Sequence, residues 1–258
     1  MNGFRFTVSR EPFTLSPVFK FDLHIHSCLS PCGDLDASPQ AIVRAAKAAG
    51  LNGIMLADHN SSRNCPALAE ACRREGGLLC LFGMEITTAE EAHCLAVFDT
   101  LEQAAAMTEI CYAALPKRVN QPEVFGYQAV VDADDNVEEL EWRLLGAPTR
   151  LPLRTAGEHV HELGGLFIAA HIDRPVFSVT SQLGGLAGDE GFDAVELSRH
   201  ADVEVWRAKT AGLPFIRSSD AHYTENIGEI WSEAELPEFS TQALKAAFEA
   251  RAIGWNHP

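Results

Sequence analysis

Short apolar runs recur along the chain, most of them ending in polar residues: FKFDLHIHS, GLNGIMLADHN, GLLCLFGMEIT, HCLAVF, GLFIAAHID, DAVELSR and LPFIRSSDAH. Runs of this length bounded by turn residues predict strands. Between most of them lie SPQAIVRAAKAAG, CPALAEACRREGG, LRTAGEHVHELGG and ADVEVWRAKTAG, where apolar residues return at helical spacing and a closing Gly suits a C-cap. The alternation predicts an α/β fold with a parallel sheet or barrel. In a β/α barrel, the positions just after the apolar runs share one rim, the C-terminal face where active sites are built.

The rhythm breaks between about residues 117 and 153, which carry DADDNVEELE and several prolines. This reads as an insertion or lid, with a hairpin expected at GYQAVVDADDNVEEL. The DADD stretch lacks the Gly and terminal Glu of an EF-hand loop, so it reads as a solvated acidic turn. The helix STQALKAAFEARAIG is expected to close the domain. With 258 residues, 47% of them hydrophobic, the chain has the size of one large domain spanning 1–258.

A formal net charge of -16 with no Lys/Arg-rich block argues against duplex nucleic acid as a partner. No 18-residue apolar run is present and MNGFRFTVSREPF lacks a signal-peptide core, so no membrane association is expected and a cytoplasmic location is. Cys28, Cys32, Cys65, Cys72, Cys80, Cys94 and Cys111 are odd in number and crowd the first half. They read as reduced thiols; Cys28, Cys32 and Cys94 raise a thiolate-zinc alternative, but Cys-x3-Cys without a second pair is weak support for a separate structural zinc.

The candidate chemistry lies in histidines and carboxylates. His24 and His26 alternate on one strand and would share a face, as a metal pair requires. Asp58-His59-Asn60 follows GIMLA, Glu85 follows LLCLFGM, His93 opens CLAVF, His171 follows GLFIAA, and Asp220-Ala221-His222 follows PFIRSS. Each histidine alone reads as a hydrogen-bonded core residue. Six of ten at strand ends in apolar frames read as ligands, because an unpaired buried imidazole is costly. His159 and His161, two apart on a predicted helix, point in different directions and form no pair, and His257 has no visible partner.

The ordered set DLHIHS, ADHN, GMEI, HCL, AAHID and SSDAH, spanning Phe21 to Ile227, resembles the successive motifs of the PHP (polymerase and histidinol phosphatase) family. The resemblance implies a distorted (β/α)7 TIM-like barrel with two or three divalent ions at its C-terminal rim. It places His24, His26, Glu85 and Asp220 on one ion, with Glu85 bridging to a second held by His93 and His171. His59 and His222 would take a third, with a ligand from the loop SPCGDLDASPQ. Asp34 fits the family spacing to Pro39 better than its rival Asp36, although Gly33 precedes rather than follows it. Such a His-rich set with shared carboxylates suits zinc, manganese or iron. Asp58 is expected to orient an imbedded imidazole from behind.

Bridged ions would supply hydroxide to an electrophilic phosphorus, so the expected activity is hydrolysis of a small phosphomonoester or nucleotide. Trimming of short oligonucleotides from the 5′ end and hydrolysis of histidinol phosphate use the same metals, and a non-catalytic metal-binding regulatory module is the alternative of another class. Arg174 and Arg199 are candidates for phosphate contact, with Asp173 or Glu196 as competing partners for them, and His200 is a candidate leaving-group acid.

Overall fold

Each of the seven predicted strands forms in the structure, a computed structural model that describes residues 16–256. They are β1 (Val18–Ile25), β2 (Gly53–Leu56), β3 (Leu79–Thr87), β4 (His93–Phe98), β7 (Leu166–Ala169), β8 (Ala194–Leu197) and β9 (Phe215–Arg217). β5 (Ala129–Val131) and β6 (Val137–Leu140) pair as the expected hairpin inside the insertion. Two further strands, β10 (Ser232–Glu235) and β11 (Gly254–Trp255), complete a nine-stranded sheet in the order β11-β10-β1-β2-β3-β4-β7-β8-β9. The helices are α1 (Pro39–Ala48), α2 (Cys65–Glu75), α3 (Leu101–Ala114), α4 (Pro122–Phe125), α5 (Leu153–Glu162), α6 (Val179–Leu183), α7 (Val203–Arg207) and α8 (Thr241–Glu249).

The sheet curls into a distorted, nearly closed barrel. A parallel bridge between Ile25 and Ala221 joins β1 to the segment after β9 at the rim. Lower down, β10 runs antiparallel to β1, and its Ser232 hydroxyl accepts from Arg217 N at 2.7 Å and donates to Arg217 O at 2.9 Å, tying in β9. Side chains from alternate strand positions, among them Leu81, Leu95, Val97, Ile168, Ala194 and Ile216, fill the interior. α8 plugs its base with Leu244 and Phe248, as expected of the closing helix. Phe239 enters the same cluster beside Gly53, where a Cβ would lie 2.4 Å from its ring.

The barrel is not uniformly parallel. β4 is antiparallel to both neighbours, β3 and β7. Reversal puts the first residue of β4, His93, opposite Thr87 at the end of β3. A histidine that opens its strand thus reaches the rim that the other strands reach at their C-terminal ends.

The insertion is docked by two asparagines. Asn60 Nδ2 donates to Leu145 O (2.8 Å) and Ala147 O (3.1 Å), and Asn64 Nδ2 donates to Ala129 O (3.1 Å). Leu144, Leu145 and Val130 pack on Leu29, so the insertion covers the loop after β1. The acidic turn at its tip is a local cap, with Asp132 Oδ1 accepting from Asp134 N and Asn136 N. No described helix is long and apolar enough to cross a membrane, and His257 lies outside the described residues.

Candidate metal centre

A bulge in β1 aims the His-x-His pair. Asp22 pairs with Ile54 but Ile25 pairs with Leu56, so β1 carries one residue more than β2 over this stretch. An extra residue exchanges which alternate positions face inward. Phe21 and Leu23 pack in the barrel below the bulge; above it Ile25 packs outward with α1 and α2, and His24 and His26 turn into the mouth. His171 (φ 27°) and Asp220 (φ 49°) both hold left-handed backbone after their strands. Such positions cost roughly 1–3 kcal/mol each and persist where surrounding contacts impose them.

Glu85, almost fully buried, is the hub of the site. Its Oε1 lies 2.9 Å from His93 Nδ1, 3.0 Å from His171 Nε2 and 3.4 Å from His24 Nε2. Its Oε2 lies 3.1 Å from His59 Nδ1 and 3.5 Å from His26 Nε2. Asp220 Oδ1 closes the group at 3.4 Å from His24 Nε2 and 3.2 Å from His26 Nε2. Burial alone would raise the Glu85 carboxyl, but His93, His24 and the bond with His171 outweigh it and hold it well below the usual range. Glu85 is therefore a carboxylate.

The outward-facing atoms of these rings are tied so that Nε2 faces the mouth. Glu196 Oε2 sits 2.9 Å from His24 Nδ1, so that nitrogen carries a proton. Against burial, Glu196, Asp220 and Glu85 hold the metal-free ring well above its ordinary value, and an ion on Nε2 would take the place of the second proton. Ser30 Oγ donates to Asp58 Oδ1 at 2.7 Å and so accepts from His26 Nδ1 at 2.9 Å, freeing Nε2. Asp220 O accepts from His222 Nδ1 at 2.8 Å, with the same result. Burial pushes His222 down to about 4, reinforced by His26, and burial pushes His59 well below its ordinary value, so both rings are neutral at physiological pH.

At the outer edge the loop after β1 brings Cys32, rather than Asp34, up to the cluster. Cys32 Sγ lies 3.3 Å from His59 Nε2, and His26, Cys32 and His59 form one donor group whose ligand atoms lie within 4.8 Å of one another. Asp34 belongs to no such group among the described residues: its backbone N donates to His222 O (2.9 Å) and its Oδ1 accepts from Asp36 N (2.7 Å). The carboxylate is spent on its own turn, and Asp36 is exposed. Gly33 makes this fold possible, because a Cβ there would lie 2.4 Å from Ser27 O. Desolvation of Sγ, with Glu85 and Asp220 nearby, pushes the Cys32 thiol up while no cation is beside it.

Among the other candidates, Arg174 ion-pairs with Asp220 Oδ2 at the edge of the cluster. Arg199 turns instead to Glu229 and its Nε lies 3.3 Å from His200 Nε2; neither residue lines the cavity over the donors. His159 and His161 pair separately, with Glu162 and Asp193. Asp58 acts as expected from behind, though on His26 through Ser30 rather than directly. Glu196 was foreseen only as an arginine partner. Its carboxylate binds His24 and also accepts His171 N at 2.9 Å. The signal for that role was its inward position on β8, two residues beyond the inward-facing Ala194.

Divalent ions fit this donor set. His24 Nε2 and His59 Nδ1 are buried and make no hydrogen bond, even though carboxylate oxygens lie 3.4 and 3.1 Å away. Nitrogens so close to oxygens yet misaligned with them suit a shared cation. Overlapping groups, His24–His171–Asp220, His24–His26–Glu85, His59–Glu85–His93 and His26–Asp220–His222, make the centre multinuclear. Replacing Glu196 by Gln should weaken binding of the His24-held ion about 10–100-fold, the usual effect of losing an acceptor behind a ligand histidine. A titration with a chromophoric chelator reads this, and unchanged affinity would remove Glu196 from that role.

Comparison with known proteins agrees with this geometry. The profile of the PHP domain matches residues 22–163, more than half of the chain, and a PHP-associated profile matches 206–253. The chain belongs to the PHP family. The donor groups above form its candidate multinuclear metal centre. No curated protein matches the chain. Among solved structures it resembles the lesion-specific endonuclease Q from Pyrococcus furiosus, at TM-score 0.65 and 21% identity, over 91% of this chain and 56% of that one. The chain thus spans little more than half of that enzyme's length. A protein from Bifidobacterium adolescentis assigned as a metal-dependent phosphoesterase matches at TM-score 0.60 and 21% identity, over 93% and 98% of the two chains.

A second structure of endonuclease Q, at TM-score 0.65, 20% identity and coverage of 91% and 57%, holds a 27-mer duplex with an abasic lesion at its active site. This overturns the expectation that duplex nucleic acid is foreign to such a chain. Net charge is a weak guide because it sums the whole surface, whereas ions held at a rim would place positive charge locally.

Proposed function

We propose that this PHP-family protein hydrolyses a phosphoester whose leaving group carries a planar ring, of which a nucleotide is the simplest case. The carrying observation is a cavity of about 380 Å³ that opens over His59 and His93 and is walled by Phe125, Phe177 and Leu144. Divalent ions in the centre supply Lewis acidity, lowering the pKa of a water and screening phosphoryl oxygens. The chain's own residues supply the rest. Phe177 stacks on His93, with ring centroids 5.0 Å apart and planes 9° apart, and so fixes one wall of the mouth. Phe125, on α4 of the insertion, is 44% exposed and offers a free ring face to a base. The ion pair of Arg174 with Asp220 at the edge of the cluster supports a role for its guanidinium on a phosphoryl oxygen, for which Asp220 would compete. Arg199 and His200 could serve only a substrate that extends past the rim toward Glu229.

We also read the chain as a single PHP-type domain, 1–258, with the insertion at about 117–153 forming a wall of the site; α8, inside the PHP-associated match, packs in the same cluster as the barrel strands. All seven cysteines are free, which favours the cytoplasm.

The test is turnover by the metal-loaded protein of nucleotide bisphosphates, short oligonucleotides, histidinol phosphate and a lesion-bearing duplex. Hydrolysis of at least one is expected. Full metal content with no hydrolysis of any would replace this reading by that of a metal-binding regulatory module. Phe125→Ala should raise KM for a nucleotide about tenfold, since stacking on an aromatic ring contributes about 1–3 kcal/mol per base. An aliphatic phosphomonoester should be unaffected, and an equal rise for both would remove the stacking role.

A further inference from the structure

The loop after β1 delivers a sulfur, not a carboxylate, to the outer edge of the centre. We propose that Cys32 is a metal ligand, its thiolate holding the outermost ion together with His59. This rests on the multinuclear centre and is independent of which phosphoester is cleaved.

Three observations converge. Cys32 Sγ stands 3.3 Å from His59 Nε2, within a donor group that also includes His26. His59 is nine-tenths buried, and with Nδ1 turned to Glu85 Oε2 at 3.1 Å its Nε2 is the nitrogen that faces Cys32. The ring of His222 lies 4.5 Å from that of His26, so a fourth donor is within reach of the same edge. Meanwhile the carboxylate that would otherwise serve, Asp34, is committed to Asp36 N. The loop is fixed in this state by Asp34 N on His222 O and by the tight turns Ser30 N to Ser27 O and Gly33 N to Ser30 O, each at 3.0 Å. It is held from above by the insertion, where Gly126 approaches Pro31 so closely that a Cβ would lie 2.4 Å from its carbonyl oxygen.

Binding is a ligand exchange without electron transfer: the sulfur–metal bond forms as the thiol proton leaves to solvent. A thiolate is a soft donor, so the outermost position selects zinc or iron(II) over manganese or magnesium. The two inner positions, built from imidazole and carboxylate, carry no such bias. Cys32 therefore makes this centre chemically asymmetric, with a zinc- or iron-selective outer position facing the cavity.

Cobalt(II) substitution of the full chain reads sulfur ligation directly. The wild type should show a near-ultraviolet sulfur-to-cobalt charge-transfer band that Cys32→Ser abolishes, with about one ion fewer bound per chain. Cys32→Asp should keep that ion, lose the band and bind manganese more tightly relative to zinc. Cys80→Ser, remote on β3, should retain the band. Cys32 is the exposed cysteine among the seven, so iodoacetamide, slowed by the raised thiol, should still alkylate it over hours in the metal-free wild type and at least tenfold more slowly with zinc bound. A band that survives in Cys32→Ser, or alkylation equally fast with and without zinc, overturns the proposal. The alkylation arm needs no variant, so it decides the matter even where Cys32→Ser fails to fold.

Discussion

Glu85→Gln should abolish most of the metal content and lower hydrolysis by at least about 10²–10³-fold, the scale on which single preorganised electrostatic groups act. Five imidazoles, from His24, His26, His59, His93 and His171, face this one carboxylate. They come from four separate strands or their ends, so Glu85 is the point where most of the donor groups meet. Glutamine keeps the size and removes the charge. Its amide still donates to neutral ring nitrogens, so the metal-free variant should fold and melt close to the metal-free wild type. Metal analysis by mass spectrometry, with kcat/KM on the best substrate, separates loss of ions from loss of fold. A variant that kept its ions and its rate would show that Glu85 bridges nothing.

The strands were legible because each buried run is apolar to its end and then turns polar within a few residues. Their directions were not. Nothing in HCLAVF distinguishes a strand running up from one running down, and β4 runs against both neighbours. His93 was nevertheless found, because a strand end is a strand end in either direction. α3 escaped notice since LEQAAAMTEICYAA is nearly all apolar or small and shows little periodic contrast. β10 escaped because SEAE on a sheet margin carries charge on alternate positions and little hydrophobic signal.

The donor cluster was legible for the same reason as the strands, and the candidates that lie outside it sit in loops. The bulge in β1 could not be read, yet His24 and His26 stay two apart whichever face they take. Asp34 and Cys32 differ by two residues in a loop whose path depends on Gly33, on His222 O and on the insertion above, none of which leaves a periodic trace. The partner of Arg199 was hidden by the same limit. Arg199 follows β8 at the rim as expected, but Glu229, distant in sequence, captures it.

Removing the ions should lower the melting temperature by roughly 5–11 °C for each ion lost. A ligand bound only by the folded chain at about 100 times its Kd contributes about 2.7 kcal/mol, and a chain of this size shifts roughly 2–4 °C per kcal/mol. The structural basis is what the ions leave behind: His24 Nε2, His59 Nδ1 and His171 Nδ1 are buried without hydrogen bonds, and each such atom carries a desolvation cost. The loss should be uneven. Residues held from one side by the barrel, such as Glu85 on β3, stay in place through the ladder with β4. The loop carrying Cys32 relies on its turns and on the insertion, so hydrogen exchange should accelerate there and around β5 and β6 before it does in the barrel strands. Melting and exchange after chelation, then after return of zinc, check both statements. A melting temperature indifferent to a chelator that strips the ions would mean that the centre is fully paid for by the protein alone.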